Sequence, residues 1–181
     1  MDDQPVEIQP HVGKPPGKGL TEPPMRRSGT AREQAGFAQQ GDAVIHIQHL
    51  ATSPEAPFFV PGTEGVEIHA TVRPQGDETV VTKHFPNAFR ETVLKQVLDA
   101  RGIDEVVLVG AMSHMCIAAT GRAAADFGYK TVVVHDACAT RALEFNGTTV
   151  PAAQVHAANM AALAFGYAKV IGAAEWIAGE G

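Results

Sequence analysis

Val106-Val107-Leu108-Val109-Gly110-Ala111-Met112-Ser113-His114-Met115-Cys116-Ile117-Ala118-Ala119-Thr120 is the stretch that decides the fold. A β-branched apolar run comes first, then a turn, then a small, Ala-rich segment. The pattern predicts a buried strand, a tight turn and a helix. Cys116 falls in the first turn of that helix, where unpaired backbone N–H groups and the helix dipole favour a thiolate. At the C-terminal edge of a parallel sheet such a thiolate is placed as a nucleophile. The plainer alternative is a small core residue, since free cysteines are among the most buried types.

Working outward, further strands are predicted at 43–47, 79–83, 131–134 and 168–171. Helical spacing covers 92–101, 116–127 and 150–165, and the tail at 173–178 is a further helix candidate. Gly102 and Gly128 sit where helices stop, and Pro151 suits a first helical turn. Short β-branched runs alternating with helices predict an α/β fold. Its form is a three-layer α/β/α sandwich with a mainly parallel, Rossmann-like sheet, carried by residues 42–181. Residues 1–41 differ: Pro5, Pro10, Pro15, Pro16, Pro23 and Pro24 recur among glycines, with almost no bulky apolar periodicity. By composition this segment is poorly ordered, apart from a short helix candidate at 31–40 anchored by Phe37.

Composition narrows the function. The 181 residues suffice for one domain with a sizeable core, and 45% hydrophobic with 19% charged content suits a soluble globular protein. A net charge of -6 gives no reason to expect a nucleic-acid or membrane partner. No apolar run approaches a membrane span, and the N-terminus lacks the apolar core of a secretory signal, so a cytoplasmic location is expected. Cys116 and Cys138 are then both reduced, and no Cys-x-x-Cys pair suggests zinc.

Lys83 ends a β-branched strand and Cys116 begins the helix after another. In a doubly wound sheet both positions face the crevice at the strand ends. An ammonium there favours the thiolate and can hold negative charge on a substrate oxygen. From spacing alone, Lys83 is equally a strand-end residue in water. Cys138 lacks a following helix start and reads as buried.

Taken together, these segments resemble the isochorismatase-like cysteine hydrolases. The matching stretches are Val44-Ile45-His46-Ile47, Phe58-Phe59-Val60-Pro61-Gly62-Thr63, Val80-Val81-Thr82-Lys83-His84, the Cys116 segment, Tyr129 onward to Thr140, and Val150-Pro151-Ala152-Ala153-Gln154-Val155-His156. The resemblance implies an Asp-Lys-Cys triad, with Cys116 as nucleophile and Lys83 as the lysine. It also implies a cis peptide at Ala111-Met112 and an oxyanion hole built from the N–H groups of Met112 and Cys116. Ser113, His114 and Phe85 are the implied substrate contacts. True isochorismatases of the family cleave a vinyl ether without a nucleophilic cysteine. The cysteine therefore points to hydrolysis of a C–N bond in a small amide, carbamoyl or ureido substrate, through a thioester. No cofactor is implied, and a homo-oligomer is.

The N-terminus departs from this pattern. Family members begin with an apolar strand ending in the triad Asp, followed one residue later by Gln. Met1-Asp2-Asp3-Gln4 has that spacing and makes Asp2 the weak candidate for the acid, but no strand precedes it. The first central strand is therefore expected to be missing or replaced. Either the chain begins past the authentic strand or is read in another frame there, or a diverged protein has lost the acid. In the second case the protein is an impaired relative serving as a binding or oligomer subunit. A redox-sensing thiol is a third possibility. His84, His114 and His46 are candidate substitute bases. His46, His49 and His69 lack the Asp-x-His pattern by which nicotinamidases hold metal, so no metal is expected and they read as scattered surface histidines.

Overall fold

The computed structural model describes residues 6–10 and 43–179. Among them are eight strands: β1 (Val6–Pro10), β2 (Ala43–His49), β3 (Thr79–Lys83), β4 (Glu105–Ala111), β5 (Lys130–Ala139), β6 (Leu143–Phe145), β7 (Thr148–Val150) and β8 (Lys169–Ile171). The helices are α1 (Leu94–Ala100), α2 (Ala118–Asp126), α3 (Ala152–Gly166) and α4 (Ala173–Ile177). Six strands form one sheet in the order β3-β2-β1-β4-β5-β8, and every neighbouring pair is parallel. The fold is thus the expected α/β sandwich with a parallel sheet.

One expectation is corrected. The first central strand is not missing: Val6–Pro10 occupies its place, deep inside the segment that composition assigns to poor order. On one side Val6 pairs with Ala43 and Pro10 with Ile47; on the other Val6 pairs with Val106 and Ile8 with Leu108. Proline is tolerated because Pro10 ends the strand, and the pairing to β4 has already stopped at Ile8. Asp2 and the helix candidate at 31–40 lie outside the described residues.

The sheet buries both faces, as its continuous apolar runs require. Alternate residues of β4 point to opposite sides. Val106 and Leu108 join Ile45, Ile47, Val81 and Val133 under Leu94 and Leu98 of α1, Ala124 of α2, and Met160 and Leu163 of α3. Val107 and Val109 join Val132, Val134 and Ile171 on the other face, beneath Trp176 of α4. The small residues of α2 let it sit close on the sheet. A Cβ added at Gly121 would lie 3.3 Å from Leu108 Cδ1 and 3.4 Å from Leu163 Cδ2.

Other differences are local. The helix expected from Cys116 begins earlier, as one widened π-type turn over Ser113–Ile117 that runs into α2. β6 and β7 form an antiparallel hairpin absent from the sequence reading. Its turn is Asn146-Gly147, both in the left-handed region (φ 49° and 73°), which is the geometry that favours this pair in two-residue hairpin turns. His46 is not a surface histidine: it is 2% exposed, and its Nε2 lies 2.8 Å from Glu78 Oε2, tying the β2–β3 connection to the sheet.

Ile8→Pro removes a ladder hydrogen bond from the middle of the sheet and should abolish cooperative folding or lower the urea midpoint severely. An unchanged midpoint would mean that β1 is not central. Leu108→Ala should cost about 2–5 kcal/mol in equilibrium denaturation, because Leu108 is wholly buried beneath α2 and α3.

Candidate active site

In a sheet of this order the connections run in opposite directions on either side of the β1–β4 pair, opening a crevice at the carboxyl ends of the strands. Lys83 ends β3, His49 ends β2 directly beside it in register, and Cys116 lies in the turn after β4. Three different chain segments therefore deliver an amine, an imidazole and a thiol to one place.

Lys83 is 0% exposed, against the strong tendency of lysine to remain in water. Its Nζ donates to the Pro86 carbonyl at 2.7 Å and lies near enough to Cys116 to interact with it electrostatically. Burial pushes the lysine below its ordinary value, and the charge and hydrogen bond of Cys116 pull it back up. The Pro86 carbonyl is held from a second side by Thr120 Oγ1 of α2, which donates to it at 3.4 Å while accepting from the Ala88 N–H at 3.1 Å. The helix that follows the nucleophile turn thus also fixes the loop that receives the lysine. Cys116 itself is 6% exposed and so almost closed off from solvent.

His49, read from the sequence as a scattered surface histidine, is instead partly buried beside the sulfur. Its Nδ1 lies 4.0 Å from Cys116 Sγ, and its ring stacks on Phe59 with centroids 4.9 Å apart. Burial first, then the charges of Lys83 and His84, push its pKa down to about 4, opposed by a backbone hydrogen bond with His84. The ring is therefore neutral at neutral pH. Phe59 is buried, sits at φ 62°, and accepts the Ala51 N–H through its carbonyl at 2.7 Å. A non-glycine residue held there costs about 1–3 kcal/mol, which the surrounding packing must offset. The long 51–76 connection is pinned in this way, with Phe58 edge-on to Phe59 at 5.0 Å.

The nucleophile turn is tied down on its far side. The Ala111–Met112 peptide is cis. The Met112 carbonyl accepts the Met115 and Ile117 N–H groups at 3.0 and 3.3 Å. Ser113, implied to touch substrate, is instead 0% exposed; its Oγ donates to the Ala139 carbonyl at 3.3 Å and meets His156 Nδ1 of α3 at 2.8 Å. It fixes the turn to α3 and β5. His114 is half-buried with Nδ1 2.6 Å from Thr140 Oγ1, and burial, then Arg141, lowers its pKa. Phe85 is half-buried under the guanidinium of Arg90, whose Cζ is 3.6 Å from the ring centroid. Among the described residues no cluster of three or more His, Cys, Asp or Glu side chains is arranged to hold a metal ion. No described helix is long and apolar enough to cross a membrane.

Comparison with known proteins places the chain in a family. The Isochorismatase domain model matches residues 27–175. The chain is 48% identical over 157 residues to the isochorismatase family protein YddQ of Bacillus subtilis, covering 86% of this chain and 87% of that protein. It is 36% identical over 90 residues to the maleamate amidohydrolase of Pseudomonas putida, covering 48% of this chain and 42% of that enzyme. A crystal structure from Oleispira antarctica, assigned as an isochorismatase hydrolase, superposes with a TM-score of 0.85 at 47% identity, covering 98% of each chain. The protein belongs to the isochorismatase family, a hydrolase family in which its relatives include amidohydrolases acting on non-peptide C–N bonds.

Proposed function

We propose that this hydrolase cleaves the C–N bond of a small amide, carbamoyl or ureido substrate through a thioester on Cys116. The observation that carries the reading is the wholly buried ammonium of Lys83 held against Cys116 at the carboxyl edge of the sheet. A cation is costly to bury, and a thiolate or an oxyanion beside it offsets that cost. A sulfur placed so can attack a carbonyl, and the backbone N–H groups of Met112 and Cys116 serve as donors to the tetrahedral oxyanion. The amine or ammonia departs, and water releases the acid. The maleamate amidohydrolase of Pseudomonas putida and the streptothricin hydrolase of Streptomyces noursei, relatives by sequence, support amide chemistry as the general class.

Ammonia release from a panel of small primary amides and ureido acids tests this. Cys116→Ala should remove turnover altogether. Lys83→Met should lower kcat/KM by about 100-fold or more, the scale expected on losing a preorganised electrostatic partner. Equal, slow release by wild type and Cys116→Ala would overturn the enzymatic reading in favour of a binding subunit.

Ser113→Ala should act differently, because its hydroxyl holds the turn to His156 and the Ala139 carbonyl. The expected result is a stability loss of about 1–3 kcal/mol from an unpaired buried partner, with KM nearly unchanged. A large rise in KM with no stability loss would show that Ser113 contacts substrate after all.

A further inference from the structure

We propose that His49 is the proton carrier of this site, taking the Cys116 proton during attack and delivering it to the leaving nitrogen. The inference rests on the thioester reading above and adds to it the group that moves protons.

The geometry points there from several sides. His49 Nδ1 is the ring atom that reaches Cys116 Sγ, at 4.0 Å. The ring is fixed from one face by the Phe59 stack. A neutral imidazole has one donor and one acceptor nitrogen. The His84 backbone favours the protonated form of the ring. The titratable groups facing His49 are Lys83 from β3, His84 just beyond it, and Cys116 from the turn after β4. No carboxylate is among the described groups that shift either His49 or Lys83. Lys83 Nζ is already engaged with the Pro86 carbonyl. The imidazole is thus the described group beside the sulfur that is free to gain and lose a proton.

The step balances. On attack the S–H bond breaks, the proton passes to His49, the sulfur pair forms the C–S bond, and the carbonyl π pair moves to oxygen. When the intermediate collapses the C–N bond breaks, and the imidazolium proton goes to the departing nitrogen. Water then adds to the thioester and gives its proton to His49. The C–S bond breaks and the sulfur recovers that proton, leaving the acid.

The test uses the whole protein in a Cys138→Ala background, so that alkylation reports Cys116 alone. Iodoacetamide rates are measured against pH for His49 intact, His49→Gln and His49→Ala. The expected result is a rate near neutrality lowered about tenfold in both variants, with the profile moved to higher pH. Added imidazole should restore part of the rate in the alanine variant. Profiles that superpose on the parent overturn the proposal. Should both substitutions prevent folding, the parent decides: alkylating Cys116 should shift the His49 ring titration seen by NMR, and an unchanged titration overturns the proposal. Alkylation needs no amide substrate, so the two readings fail separately. A histidine-dependent thiol that turns over no amide sinks the hydrolase reading alone. Cys116-dependent amide turnover that is unaltered in His49→Gln sinks the proton-carrier role alone.

Discussion

The amine of Lys83 is wholly buried, and much of the architecture exists to make that tolerable. A buried cation needs fixed dipoles and a counter-charge. The Pro86 carbonyl supplies the first, and Thr120 holds that carbonyl in place. Cys116 lies beside the amine and favours its charged form. Thr120 belongs to the helix that begins immediately beyond the nucleophile turn, so amine and sulfur are located by one rigid body. Moving either would leave a charge in a low-dielectric site with nothing to answer it. The arrangement is therefore fixed by electrostatics as well as by packing.

Around that pair, the sheet order does the positioning. Strands from both halves of the chain end at one edge, and residues distant in sequence become neighbours there. His49 and Lys83 are register partners on adjacent strands, although 51–76 intervenes. Ser113 locks the turn to α3 and β5 from below, so the sulfur is held between the sheet edge and a helix. The result is a thiol whose neighbours are a buried amine, a stacked ring and a turn held by a buried hydroxyl.

The positions of Lys83 and Cys116 at the sheet edge were legible in the sequence because one ends and the other follows a short apolar run rich in β-branched residues, and such runs announce a buried parallel strand. β1 was not legible. Val6-Glu7-Ile8-Gln9-Pro10 interleaves polar residues and ends in proline, the pattern of an edge or a loop, and only its pairing with β2 and β4 makes it central. His49 was hidden for a related reason. A histidine at a strand end has no local signature of function, and its meaning comes from the register with Lys83 and the return of Phe59 over its ring. Ser113 was read as a substrate contact because it flanks the nucleophile, but the widened turn points its hydroxyl inward. Asn146-Gly147 did carry a hairpin signal, and the short flanking strands were overlooked.

Phe59 joins two properties that are separable in many enzymes. It belongs to the connection over the crevice, where variation would ordinarily retune which molecules enter. It is also the surface against which the His49 ring lies. Any lineage that remodels this loop to admit a different guest also disturbs the imidazole at the sulfur. One aromatic face therefore ties the 51–76 connection to the ring that lies beside Cys116.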